Sequence, residues 1–135
     1  MFNKFTNKSQ EAIINAQIIA QENGQQQIEG IHILAALLTQ SDSLIKPILE
    51  KFKISPDELE KQVYERIGHL PKTQVTGSVG TVQGTAEVAM ILERAKKEAD
   101  KLGDEYISTE HLFLALIGVQ SEAQEILIRL GVEYE

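Results

Sequence analysis

The 135-residue chain contains no cysteine. That excludes disulfides, cysteine-ligated zinc and thiol chemistry, and it is consistent with a reducing compartment. Basic residues are scarce: 13 Lys and Arg stand against 20 Asp and Glu, for a formal net charge of -7. Such a balance argues against nucleic acid, whose phosphates select basic surfaces, and against anionic membranes. No segment is long and apolar enough to span a bilayer. The opening Met1-Phe2-Asn3-Lys4-Phe5-Thr6 lacks an apolar run of signal-peptide length, so a cytoplasmic location is the expectation. The rest is ordinary for one folded domain with a hydrophobic core: 42% of residues are hydrophobic and 24% charged.

Nucleotide-binding motifs are missing as well. A Walker A loop requires a second Gly five positions after the first, but Val82 follows Gly77 at that distance and Thr85 follows Gly80. Val79 breaks the dinucleotide fingerprint, and Thr76 stands where a nucleophile elbow needs its first Gly. Metal ligation at His32 or His111 calls for a second ligand one turn on, yet Ala36 and Ala115 occupy those positions. Both histidines read as hydrogen-bonded residues at helix N-termini, packed near the core, and His69 as a lone His at a helix end. Glu110 beside His111 has no nucleophile near it in sequence, so no catalytic site is expected.

An internal repeat organises the chain. With Ala16 placed on Ala95, an offset of 95 − 16 = 79, Thr6 falls on Thr85, Gly24 on Gly103, Ile28 on Ile107, His32 on His111 and Leu37 on Leu116. One deletion later, at 127 − 49 = 78, Leu49 meets Leu127 and Ile54 meets Val132. Helix periodicity alone does not demand paired Gly and His positions, so each half should be the same supersecondary unit. Residues 1–70 form repeat one, 71–84 a Gly/Thr/Ser-rich connector and 85–135 repeat two. The connector reads as flexible, with a Thr/Val hairpin as the weaker alternative.

Both halves read as helices. The first runs behind a Thr6 N-cap with Ile13, Ala16, Ala20 and Asn23 on one face and Gly24 as its stop. Gln25 to Gly30 is a loop. Ile31 to Thr39 is apolar on nearly all sides and belongs in the middle of a bundle. A third helix carries Ile48, Leu49 and Phe52, with Pro47 in its first turn. The fourth opens on the capping box Ser55-Pro56-Asp57-Glu58 and continues with Leu59, Val63, Ile67 and Leu70. In the second half, Val88, Leu92, Ala95, Ala99 and Leu102 are read as one face, Ser108 caps Leu112 to Ile117, and Ser121 with Gln124 caps a helix ended by Gly131. The counterpart of the fourth helix would begin near Glu133, so repeat two is expected to be truncated. The fold class is therefore all-α: two pseudo-symmetric four-helix repeats lacking most of the last helix.

Several runs carry a family resemblance. Phe5-Thr6-Asn7-Lys8-Ser9-Gln10-Glu11-Ala12, Ala20-Gln21-Glu22-Asn23-Gly24, His32-Ile33-Leu34-Ala35-Ala36-Leu37-Leu38 and, most specifically, Lys101-Leu102-Gly103-Asp104-Glu105-Tyr106-Ile107-Ser108-Thr109-Glu110-His111-Leu112 resemble the N-terminal Clp repeat domain of Clp-type AAA+ chaperones. With Leu70-Pro71 and the long connector, the chain is similar to ClpB more than to ClpC or ClpA. The resemblance implies a domain flexibly linked to ATPase rings that thread polypeptides. It captures unfolded or aggregated clients, or an adaptor or co-chaperone, and takes part in disaggregation and stress response. It implies no cofactor in this segment, ATP and magnesium belonging to the rings. It also implies a monomeric isolated domain and a hexameric parent. The alternatives are an adaptor- or modified-protein receptor like ClpC or ClpA, and a free-standing regulator without an ATPase.

The resemblance also assigns candidate partner-binding residues: Thr6, Asp104 and Glu110, with Leu92 as an apolar groove position. Each has a structural alternative, Thr6 as an N-cap, Glu110 as a first-turn acid and Leu92 as core. ClpC-like domains carry Glu before His in each repeat, similar to acids that recognise phosphoarginine. Here the pair Glu110-His111 has the mate Ile31-His32, which implies no symmetric two-site reader. Two further candidates come from the repeat itself. Ile14 and Ile18 align with Glu93 and Lys97, a solvated pair, so they are expected to be at least partly exposed and a candidate contact surface. Covering by the connector or by Phe2 is the alternative.

Overall fold

The computed structural model describes residues 4–72 and 83–132. Local chemistry sets most element ends. Thr6 is extended (φ -64°, ψ 160°) and its hydroxyl accepts the Ser9 N–H, which starts α1 at Asn7–Glu22. Gly24 follows at φ 71°, a left-handed turn that costs glycine nothing. After β1 (Gln27–Ile28) come α2 (Gly30–Thr39) and α3 (Ile45–Lys51), with Pro47 in the first turn of α3. Pro56 occupies the first position of α4 (Pro56–Gly68), and Ser55 accepts the Glu58 N–H. Then follow β2 (Gln83–Gly84), α5 (Ala86–Lys101), α6 (Thr109–Gly118) and α7 (Glu122–Leu130). Thr85 caps α5 and Ser121 caps α7 by the same hydroxyl-to-N–H geometry.

The fold is all-α, with one two-residue strand pair among the described residues. That pair amends two sequence expectations. Part of the expected loop Gln25–Gly30 is β1, and the end of the expected connector is β2, which runs parallel to it with Gln27 opposite Gln83 and Ile28 opposite Gly84. Connector residues 73–82, and the position near Glu133 where a last helix was expected, lie outside the described residues.

The strand pair has a partner under the pseudo-twofold. Phe5 bridges Ile107 in parallel, through Thr6 N–H to Ile107 O at 2.9 Å and Ile107 N–H to Lys4 O at 2.8 Å. The offset of 79 carries Phe5 onto Gly84 and Ile28 onto Ile107. The extended residues before each repeat's first helix therefore pair with the other repeat, and the halves interlock. Two pairs of left-handed residues obey the same symmetry: Gly24 matches Gly103 (φ 75°), and Lys53 (φ 61°) matches Gly131 (φ 109°), whereas Asp42 (φ 57°) has no left-handed mate.

One core runs through both halves. Helix α2 is its axis, buried from Gly30 to Leu38, with α1 on one side and α4, α5, α6 and α7 also touching it. Each fully buried Leu or Ile contributes roughly 1.5–3 kcal/mol. The stripe Leu59, Val63, Ile67 and Leu70 is buried as the spacing predicts. The face of α5 differs from the expectation. Ile91 lies inward with Val88, Ala95 and Ala99, whereas Leu92 is only partly buried and Leu102 is exposed. Three- and four-residue steps both advance along one helical stripe, and here the three-residue step from Val88 points at the core. Leu102 caps the helix just before the turn at Gly103, beyond the reach of that stripe.

Candidate partner-binding groove

Matched histidine clasps build the starts of α2 and α6. His32 Nδ1 accepts the Glu29 N–H at 2.9 Å, and His111 Nδ1 accepts the Ser108 N–H at 2.9 Å. A backbone N–H can only donate, so each ring carries its hydrogen on Nε2. That hydrogen goes to Gln25 Oε1 at 2.7 Å in repeat one and to Asp104 Oδ2 at 2.8 Å in repeat two. Both rings are buried, and burial pushes the His32 pKa down to about 4 from its ordinary 6.5. These are the hydrogen-bonded histidines read from the sequence.

The second clasp contains Ser108, His111 and Asp104, with the Ser108 hydroxyl 3.1 Å from Nδ1. The residue types are those of a nucleophilic triad, but the Nδ1 lone pair already holds a backbone N–H. It has nothing left with which to deprotonate the hydroxyl. That hydroxyl also donates to Glu110 Oε1 at 3.2 Å. Asp104 and Glu110 are therefore joined through one short hydrogen-bonded chain, with both carboxylates on the exposed side of it. The repeat mate of Glu110 is Ile31, which is wholly buried.

Thr6 joins this region through the strand bridge. Its N–H binds Ile107 O, and its hydroxyl caps α1 and donates to Ser9 Oγ at 3.0 Å. Buried Ser9 in turn donates to the same Ile107 carbonyl at 2.9 Å. Beside the bridge lies a groove of about 450 Å³, between the 4–5 and 107 backbones and α5. Phe5, Leu92 and Ile107 give it an apolar floor, and Lys4, Glu93 and Lys96 edge it. Leu92 lies half-buried along this groove. Among the candidates, Thr6, Leu92, Asp104 and Glu110 gather around the stretch from Asp104 to His111. Ile14 and Ile18 stand apart on the outer side of α1, 55% and 45% exposed.

Sequence reasoning missed Phe5 and Ile107 as groove residues. The signal was available in part: the repeat sets Phe5 against Gly84, a large ring against no side chain, which marks a place where the two halves differ.

Among the described residues no helix is long and apolar enough to cross a membrane. No group of three or more His, Cys, Asp or Glu residues among them could hold a metal ion.

The model of the Clp repeat (R) N-terminal domain matches residues 4–130. The chain is 34% identical over 131 residues to the chaperone protein ClpB of Bacillus cereus, and 31% identical over 129 residues to that of Rhodopirellula baltica. Each match covers 96% of this chain but only 15% and 14% of the relatives, so the chain spans about one-seventh of their length. Among solved structures, the Hsp104 N-terminal domain from Candida albicans matches with a TM-score of 0.84 at 21% identity, over 97% of this chain and 84% of that one. The N-terminal domain of ClpD from Arabidopsis thaliana matches at 0.70 and 20% identity, over 98% and 91%. The N-terminal domain of the E. coli ClpV1 ATPase matches at 0.75 and 20% identity, over 96% and 85%. At these identities the structural matches show the fold alone.

Proposed function

Because the chain belongs to the Clp repeat (R) N-terminal domain family, we propose that it is the substrate-binding N-terminal domain of a ClpB-like ATP-dependent disaggregase. In this reading it works in the cytoplasm and captures unfolded or aggregated polypeptide for AAA+ rings elsewhere in a hexameric parent. Those rings bind ATP and magnesium, and the domain itself does no chemistry. The observation that carries the proposal is the groove beside the strand bridge, where partly exposed Leu92 lies with buried Phe5 and Ile107 beneath it. Thr6 holds one wall through Ile107, and Asp104 and Glu110 provide hydrogen-bond acceptors near the same segment. Ile14 and Ile18 act in this proposal as a second apolar contact on α1.

The adaptor- or modified-protein reading is less well supported. An arginine derivative is held best by a carboxylate in bidentate geometry, and repeat one presents buried Ile31 where repeat two presents Glu110. The test is a titration of the isolated chain with an unfolded model client, a folded adaptor and free phosphoarginine. The client should bind, and Leu92→Asn should weaken it about tenfold while lowering the melting temperature by only a few degrees. Exchange of Ile14→Glu with Ile18→Lys should weaken the client further without loss of fold. Two equivalent tight phosphoarginine sites, or client binding indifferent to Leu92→Asn, would overturn the proposal.

A further inference from the structure

The lips of the Leu92 groove are charged in a way the rest of the chain does not lead one to expect. The chain carries a net charge of -7, yet Lys4 and Lys96 both stand at this groove, against the single acid Glu93. Among the described residues none of the three takes part in an ion pair. The other repeat has no such arrangement: the mates of Lys4, Glu93 and Lys96 are Gln83, Ile14 and Gln17. Two uncommitted ammonium groups therefore flank an apolar floor in one half of a pseudo-symmetric domain, and glutamines replace them in the other.

We infer that this groove selects an extended polypeptide segment in which a large apolar side chain is flanked by Asp or Glu. The inference rests on the reading of the groove as a polypeptide site, and it adds which segments are taken. The apolar side chain lies over Phe5, Leu92 and Ile107, and the neighbouring carboxylates meet Lys4 and Lys96. Within the groove a segment with basic flanks meets two like charges and one partner, Glu93, since Asp104 and Glu110 are not among the residues that line it. Both lysines are exposed, so the carboxylate preference is modest and falls with salt, whereas the apolar contact persists.

The experiment uses short fluorescent peptides, acetylated and amidated so that no terminal charge contributes. They share one Leu-Phe core and differ only in Asp, Asn or Lys flanks. Anisotropy titrations with the full chain compare the wild type, a Lys4→Gln/Lys96→Gln double variant and Leu92→Asn. At roughly 0.05 M salt the Asp-flanked peptide should bind about fivefold tighter than the Asn-flanked one, and the Lys-flanked peptide weakest. At roughly 0.5 M salt, where screening acts within a few ångströms, the three should converge. The double lysine variant should remove the preference, so that the Asp- and Asn-flanked peptides bind alike. Leu92→Asn should weaken all three. If Asp and Asn flanks bind equally and both respond to Leu92→Asn, the charge selection is overturned and the groove reading survives. If no peptide responds to Leu92→Asn, the groove reading fails and the selection fails with it.

Discussion

His32→Gln should lower the stability of the domain at pH 7 by about 1–2 kcal/mol and raise it at pH 4. Glutamine at this position can still accept the Glu29 N–H and donate to Gln25, as the Gln of a capping box does, but its reach and packing differ from those of the buried ring. The reversal with pH comes from the proton. Burial pushes the His32 pKa down to about 4, below the ordinary value of 6.5 that applies in the unfolded chain. Between those values the unfolded state takes up a proton that the folded state refuses, so folding loses about 1.4 kcal/mol per pH unit. The contribution is intact above pH 6.5, falls away as the pH drops, and reaches about 3 kcal/mol of loss near pH 4. Glutamine does not titrate, and the carboxylates that protonate in the same range are common to both proteins. Denaturant unfolding of both between pH 7 and pH 4 should therefore give curves that cross. Parallel curves would show that His32 does not titrate as its burial implies.

The second large effect lies where the two repeats differ in volume. A Cβ on Gly30 would stand 2.8 Å from Ile91 Cδ1 and 3.2 Å from Glu87 Oε2, and Ile91 is wholly buried. At the symmetry-related junction of α6 with α1 the corresponding positions are Thr109 and Ala12, both buried. One inter-repeat junction pairs no side chain with a large one, and its mate pairs a medium one with a small one. Gly30→Thr alone should overpack the junction of α2 and α5 and cost about 3 kcal/mol. Ile91→Ala alone should leave a cavity and cost about 2–5 kcal/mol. The double variant recreates the pairing of the symmetry-related junction. It should recover about 2 kcal/mol relative to the sum of the single changes. Additive losses would mean that the two junctions are not equivalent.

These residues also show how far sequence reading reaches. The N-caps at Thr6, Ser55 and Ser121 and the turns at Gly24, Gly103 and Gly131 were legible because capping chemistry acts within a few residues. So were the repeat and the central place of α2, which follow from periodicity and from an apolar helix having nowhere else to go. The strand exchange was not legible. A bridge between Phe5 and Ile107, or between Gln27 and Gln83, spans much of the chain and leaves no periodic trace in so few residues. Spacing could not place Leu92, since Ile91 and Leu92 both sit within one stripe of Val88; the family resemblance suggested a groove position for it, and the packed structure buries Ile91 and leaves Leu92 lining the groove. Phe5 and Ile107 entered the groove for the same reason as the bridge. Thr6 and His111 were recognised as helix-start residues. Their link to the groove passes through the Ile107 backbone and the Ser108 clasp, which no local pattern records.

The central claim is that this domain receives polypeptide in the groove between the Phe5–Ile107 bridge and α5. Amide chemical-shift mapping with ¹⁵N-labelled protein and an unfolded, unlabelled client tests it most directly. The largest shifts should fall on Phe5, Leu92, Lys96 and Ile107, and Leu92→Asn should suppress them as a set. Shifts gathered instead along α4 and α7, around Arg66 and Arg129, or no shifts at a client concentration that saturates binding, would contradict the account.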